Sequence, residues 1–124
     1  MKNILIGATA IFLWLVSTAS DSIAGGCANG HCWGALGFGD NGRIGFAYNK
    51  KSERAAEWQV SAACRGKCVA LRTFYNSCAA MARGNNWKWT WATAETREAA
   101  EQQAMRACKL RTGNCETIVW ACSS

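Results

Sequence analysis

The chain has 124 residues, 14 Lys plus Arg against 8 Asp plus Glu for a net charge of +6, no proline, twelve glycines, eight cysteines and one histidine. Half the residues are hydrophobic, too many for intrinsic disorder, and neither a collagen-like repeat nor a long heptad pattern fits. What remains is one small, cysteine-rich domain.

Residues 1–24 read as a secretory signal: Lys2 supplies the positive start, 4–16 the apolar stretch, and Ser17-Thr18-Ala19 and Ser22-Ile23-Ala24 two small-x-small cleavage sites. The apolar stretch is shorter than the roughly 20 residues of a permanent membrane helix, so no stable span is expected after cleavage. A lipidated Cys27 is the lesser alternative, because Ala24-Gly25-Gly26 before it lacks a branched aliphatic residue. Cleavage before Gly25 leaves a single domain, 25–124, holding all eight cysteines in the periplasm or outside the cell, where oxidation is their expected fate. Disulfides typically contribute about 2 to 4 kcal/mol each, comparable with the whole net stability of so small a domain.

In chain order, 33–39 reads as a strand, joined through Asp40-Asn41-Gly42, whose Asn-Gly pair suits a hairpin, to a second strand over 43–49. Ser52 then caps an alanine-rich helix ending at Cys64, with Glu53 and Glu57 early, Arg65 late and Ala56, Val60, Ala63 and Cys64 on one stripe. After Arg65-Gly66-Lys67 comes a strand over 68–75. The next predicted strand is 87–93. Thr96 caps a second helix ending at Cys108, with Glu98 and Glu101 early, Lys109 and Arg111 late, and a stripe of Ala100, Ala104, Ala107 and Cys108. The turn Arg111-Thr112-Gly113-Asn114 leads to a last strand over 115–121.

Residues 44–78 superpose on 87–122: Ile44, Phe46 and Tyr48 alternate as Trp87, Trp89 and Trp91 do, and Ser52 precedes Cys64 by the same interval as Thr96 precedes Cys108. Each half is strand, helix, strand. The expected fold is α+β, a mostly antiparallel sheet of about five strands with two helices on one face, bulky strand residues meeting small helix residues. Eight cysteines allow roughly a hundred pairings, which the repeat narrows to a working set. It pairs Cys64 with Cys68, Cys108 with Cys115, Cys78 with Cys122 across the halves, and Cys27 with Cys32 closing the N-terminal loop.

Five features carry a likeness: Trp33-Gly34-Ala35 opening a strand, the aromatic Gly45-Phe46-Ala47-Tyr48, a capped helix ending in Cys64, Cys64 and Cys68 spaced Cys-x3-Cys, and the closing Val119-Trp120-Ala121-Cys122. In these the chain resembles the bacterial domain of unknown function 4189 family over about residues 33–122. The resemblance implies secretion and a compact disulfide fold, and it implies no reaction. Cys27 and Cys32 fall outside the family's pattern, and the interval from Cys108 to Cys115 is longer than that from Cys64 to Cys68, so the two loops are not strictly equivalent.

Nucleophilic catalysis wants a histidine within hydrogen-bond reach, and the one histidine, His31, sits beside Cys32 in an N-terminal loop. Glycoside cleavage wants two carboxylates in a cleft. Glu53, Glu57, Glu98 and Glu101 are accounted for by helix dipoles and i, i+4 pairs, Glu95 stands with them at a helix start and Asp40 is a turn residue; a small cell-wall hydrolase, the third reading, would depend on Asp40 or Glu116. A zinc site of Cys64, Cys68, Cys108 and Cys115 is disfavoured, because thiolates do not persist in an oxidising space. No catalytic residue, metal or cofactor is assigned. Trp87, Trp89 and Trp91 read as core, with Lys88 and Thr90 on the opposite face, because three bare indoles would exceed the roughly 400 Å² of apolar patch a soluble surface tolerates. Ile44, Phe46 and Tyr48 read as core with them.

Residues 33–85 hold eight Lys plus Arg against three acids. Among them Arg43, Lys50, Lys51, Arg54, Arg65 and Lys67 are the expected binding residues, attracting an acidic partner. The expected function is that of an exported, non-enzymatic binding protein docking a macromolecule, a protein in the first instance, as an immunity or inhibitor protein does. The alternative is a secreted effector or cell-surface factor that binds glycan or lipid through exposed aromatics. Nucleic acid is not expected, for no recognition motif is present.

Overall fold

A β-β-α-β unit occurs twice in succession. The computed structural model describes residues 30–124; the predicted signal at 1–24 and Cys27 lie outside them. The first unit comprises β1 (Trp33–Gly39), β2 (Ile44–Lys50), α1 (Glu53–Ala63) and β3 (Cys68–Tyr75), and the second β4 (Ser77–Arg83), β5 (Trp89–Ala94), α2 (Arg97–Lys109) and β6 (Glu116–Ser123). Each unit folds into its own antiparallel three-stranded sheet, ordered β2-β1-β3 and β5-β4-β6.

Alternating side chains decide how the layers stack. Leu36, Phe38, Ala70 and Phe74 of the first sheet meet Ala79, Met81, Val119 and Ala121 of the second in one buried cluster. On the outer faces, Ala56 and Val60 of α1 pack on Ala35 and Ala47, and Ala100, Ala104 and Cys108 of α2 pack on Cys78, Ala80 and Ala82. The result is four layers: helix, sheet, sheet, helix. A Cβ on Gly37 would lie 2.6 Å from Val60 Cγ1, and one on Gly45 2.9 Å from Ala63 Cβ, so these two glycines let α1 sit down on its sheet. Ser52 Oγ accepts the Ala55 N–H at 3.1 Å and Thr96 Oγ1 the Ala99 N–H at 3.2 Å, the helix starts that the sequence predicts.

The α+β class and the antiparallel pairing are as expected, but the sheet is not one. The expected five strands are six, in two sheets, and each helix covers a different sheet instead of sharing a face. The cause is β4, whose Ser-Cys-Ala-Ala-Met-Ala-Arg lacks the branched and aromatic residues of a half-buried strand. As the central strand of its sheet β4 is covered on both faces, and residues 78–82 are all buried. Small side chains fit there because a helix and a sheet both press close.

Cys78 therefore opens the second unit rather than closing the first. The disulfides join Cys64 to Cys68, Cys108 to Cys115 and Cys78 to Cys122. The first two tie each helix end to the next strand; the third links directly opposed residues of β4 and β6 and so lies within the second unit, not between the halves. The corresponding position of the first unit holds an aromatic pair, Trp33 and Tyr75, with ring centroids 5.0 Å apart. Cys32 is disulfide-bonded, and its expected partner Cys27 is outside the described residues.

Backbone pairing also resets the repeat. Gly39 N–H donates to Arg43 O and Gly84 N–H to Lys88 O, at 2.8 and 2.9 Å, so the two hairpins align at these glycines. Ile44 and Phe46 then correspond to Trp89 and Trp91, and Trp87 corresponds to Gly42 of the first turn. Both have left-handed backbones, φ 79° for Gly42 and φ 61° for Trp87. Left-handed backbone costs a non-glycine residue about 1–2 kcal/mol.

Candidate functional site

Gly45 and Ala47 turn toward α1, so Ile44, Phe46 and Tyr48 point the other way along β2, toward the second sheet. That sheet does not cover them. They remain 46%, 51% and 51% exposed, and with residues 118–122 of β6 they line a groove of about 540 Å³ along one edge of the sandwich. The expectation that these three belong to the core is corrected here: alternation marks a shared face, but whether the neighbouring sheet reaches that face is settled by tertiary packing. The Phe46 and Tyr48 rings stack nearly parallel, 5° apart in plane, with centroids at 6.4 Å. Trp120, 39% exposed, completes the apolar surface, and the Arg97 guanidinium lies 3.8 Å from its ring centroid while pairing with Glu101 at 2.9 Å.

Hydrogen bonds hold this surface rigid. Gln59 of α1 donates to Phe46 O at 3.0 Å. At the end of β2, Asn49 N–H donates to Ser123 Oγ at 2.8 Å and Ser124 N–H to Asn49 Oδ1 at 3.0 Å, stitching β2 to β6.

The six basic residues assigned from sequence form two groups rather than one patch. Arg43, in the β1–β2 connection, shares one end of the unit with Arg65 and Lys67 of the α1–β3 loop, whose Lys67 carbonyl lies where a Cβ on Gly39 would meet it at 2.8 Å. Lys50, Lys51 and Arg54 stand at the other end of α1, near the 72%-exposed Trp58, a helix length of roughly 16 Å away. Cations therefore flank both ends of the β2 aromatic strip.

The tryptophan row divides. Thr90 lies on the face opposite the indoles, but that is the face α2 covers, the reverse of the expectation that the bulky strand residues meet the helices; it is buried and donates to Ala104 O at 2.7 Å. Trp89 and Trp91 pack partly buried against the inter-sheet core, whereas Trp87 belongs to the β4–β5 turn and is 48% exposed, which corrects its assignment to the core. Asn85-Asn86 ahead of it is the turn signal in the sequence, and it was masked by the regular spacing of the three indoles. Arg83 lies 4.6 Å from the Trp87 ring centroid and Arg72 4.9 Å from that of Trp89.

His31 is exposed just ahead of β1, Asp40 lies in the β1–β2 turn and Glu116 begins β6, each exposed and on a separate element. Among the described residues, no three His, Cys, Asp or Glu side chains gather as metal ligands, and no helix is long and apolar enough to cross a membrane. Trp120 marks the family likeness in the sequence, but nothing there assigns it or Arg97 to a site. The Arg97–Glu101 spacing reads there as an ordinary helical ion pair, and the cation–π contact depends on how α2 meets β6.

Residues 33–122 match the family described as a domain of unknown function (DUF4189). A search of curated proteins finds no match. Among solved structures, the chain is similar to the NMR structure of Rv1813c from Mycobacterium tuberculosis, with a TM-score of 0.59 and 23% identity, over 98% of this chain and 97% of that one. At that identity the likeness is one of fold.

Proposed function

The chain belongs to the domain of unknown function 4189 family, and from that premise we propose that it is an exported, non-enzymatic binding protein whose β2–β6 groove docks an acidic protein, as an immunity or inhibitor protein does. The observation that carries this reading is the stacked, half-exposed Phe46–Tyr48 pair beside Trp120. Aromatic residues held rigid in a groove are the usual anchors of protein interfaces, and a surrounding polar rim keeps water out of the contact. Arg43 at one end of β2 and Lys50 and Lys51 at the other give that rim a positive sign, which accelerates encounter with an acidic partner and sets its orientation. The disulfides and the Asn49–Ser123 stitch fix the groove before contact, so little ordering entropy is lost on binding. Export is supported by the leader-like 1–24 segment and by the oxidised cysteines.

Capture of partners from periplasm or culture fluid tests the reading, with the wild-type domain and the double variant Phe46→Ser/Tyr48→Ser immobilised side by side at about 0.3 M salt. A discrete acidic protein retained by the wild type and lost by the variant is expected. Retention of the same proteins by both, or wild-type capture that vanishes at this salt, refutes it.

A further inference from the structure

A second surface lies on the opposite hairpin. A cleft of about 620 Å³ runs between the β4–β5 turn, β5 and the C-terminal end of α2, walled by Trp87, Trp89 and Trp91 and by Arg72, Lys88 and Arg111. Its nine lining residues include no carboxylate, and among the described residues the one ion pair joins Arg97 to Glu101, so these three cations have no anionic partner. Asp40 lines an adjoining hollow together with Val69, Trp87 and Trp89, while no acid lines the cleft itself. Like charges gathered without counter-charge are the footprint of an anionic ligand.

Trp87 supplies the second observation. Asn86 and Trp87 both have positive φ, 57° and 61°, and Lys88 N–H donates to Asn85 O at 3.2 Å, which makes this a type I′ hairpin turn. Its second central position favours glycine, and the first hairpin has Gly42 at the matching place. A bulky aromatic there is an outlier. It is held by stacking on Phe38, centroids 6.3 Å apart, and by Arg83, yet half its surface stays open. Strain retained to present an exposed ring belongs at a binding site.

We propose that this cleft binds acidic sugar chains, a uronic or sulfated ring lying flat on the Trp87 indole while its anionic group meets Arg111, Lys88 and Arg72. An indole face matches the C–H face of a pyranose, and the three cations select the acidic sugar over a neutral one. The Thr90 bond to Ala104 O and the Cys108–Cys115 bridge fix the cleft floor in advance. The inference takes only export from the proposed function, since in an oxidising space outside the cytoplasm the acidic polymers at hand are glycans rather than nucleic acids; it does not depend on the β2–β6 groove.

The test titrates the oxidised domain with an oligogalacturonate and a heparin fragment, against a neutral maltooligosaccharide and a single-stranded oligodeoxynucleotide of equal charge. At least one acidic glycan is expected to bind and the neutral one not. Trp87→Gly should raise Kd at least tenfold while the melting temperature holds or rises, a split that a structural role for Trp87 would not produce. Arg111→Gln, at an exposed position, should raise Kd several-fold and flatten its salt dependence, and it carries the test should Trp87→Gly misfold. Phe46→Ser should bind glycan as the wild type does, which separates this site from the groove. Unchanged affinity in Trp87→Gly or Arg111→Gln, no binding of either acidic glycan, or tighter binding of the oligonucleotide overturns the proposal.

Discussion

Replacing Gly34 with alanine puts a methyl group where the Phe74 ring already lies: the new Cβ would stand 2.2 Å from Cζ and 2.6 and 2.8 Å from the two Cε atoms. Gly34 of β1 and Phe74 of β3 are directly opposed, and Phe74, 4% exposed, belongs to the cluster that joins the two sheets. Because the ring is already packed into that cluster, Gly34→Ala should cost about 1–3 kcal/mol, the usual penalty for overpacking a filled core. A domain of this size loses roughly 4–8 °C in melting temperature for each kcal/mol. Phe74→Ala alone should cost about 3–5 kcal/mol through the cavity it leaves. In the double variant the added methyl occupies vacated space, and the two costs should fall short of additivity by on the order of 1–3 kcal/mol. Urea denaturation of the four oxidised proteins, followed by circular dichroism, closes the cycle. Additivity to within about 0.5 kcal/mol would refute the claim that this ring is seated on Gly34.

Thr90→Val removes a buried donor to Ala104 O and should destabilise by about 0.5–1.5 kcal/mol, read in the same urea titration. Thr96→Ala and Ser52→Ala each remove an N-cap and should each cost about 1 kcal/mol, visible as separate drops in thermal midpoint. Of the disulfides, Cys78–Cys122 spans 44 residues of sequence against 4 for Cys64–Cys68, so on chain entropy its double alanine variant should lose about 4 kcal/mol and the other about 2. The order of the two melting temperatures decides this.

Helix ends and hairpin polarity were legible in the sequence because they are local. Ser52 and Thr96 announce α1 and α2 by a hydrogen bond three residues long, and the stripe Ala56-Val60 announces its own buried face. β4 was not legible: apart from Met81, residues 78–82 are small because two layers enclose them, and that enclosure is invisible until the second sheet exists. Without β4, Cys78 falls to the wrong unit and the strand repeat shifts by two residues, which draws Trp87 into a strand and away from the turn position that corresponds to Gly42. The candidate site suffered the same limitation. That the basic residues divide between the two ends of α1, and that Phe46, Tyr48 and Trp120 are exposed, depends on how the elements pack and how far one sheet overlaps the other.

Photocrosslinking addresses the docking face most directly. A photoreactive phenylalanine analogue is placed at Tyr48, at the groove, or at Ala62, on the exposed side of α1, and the producing cells are irradiated. The account predicts a single major adduct with an acidic protein from position 48 and none of that mass from position 62. The same adduct from both positions, or none from position 48, contradicts it.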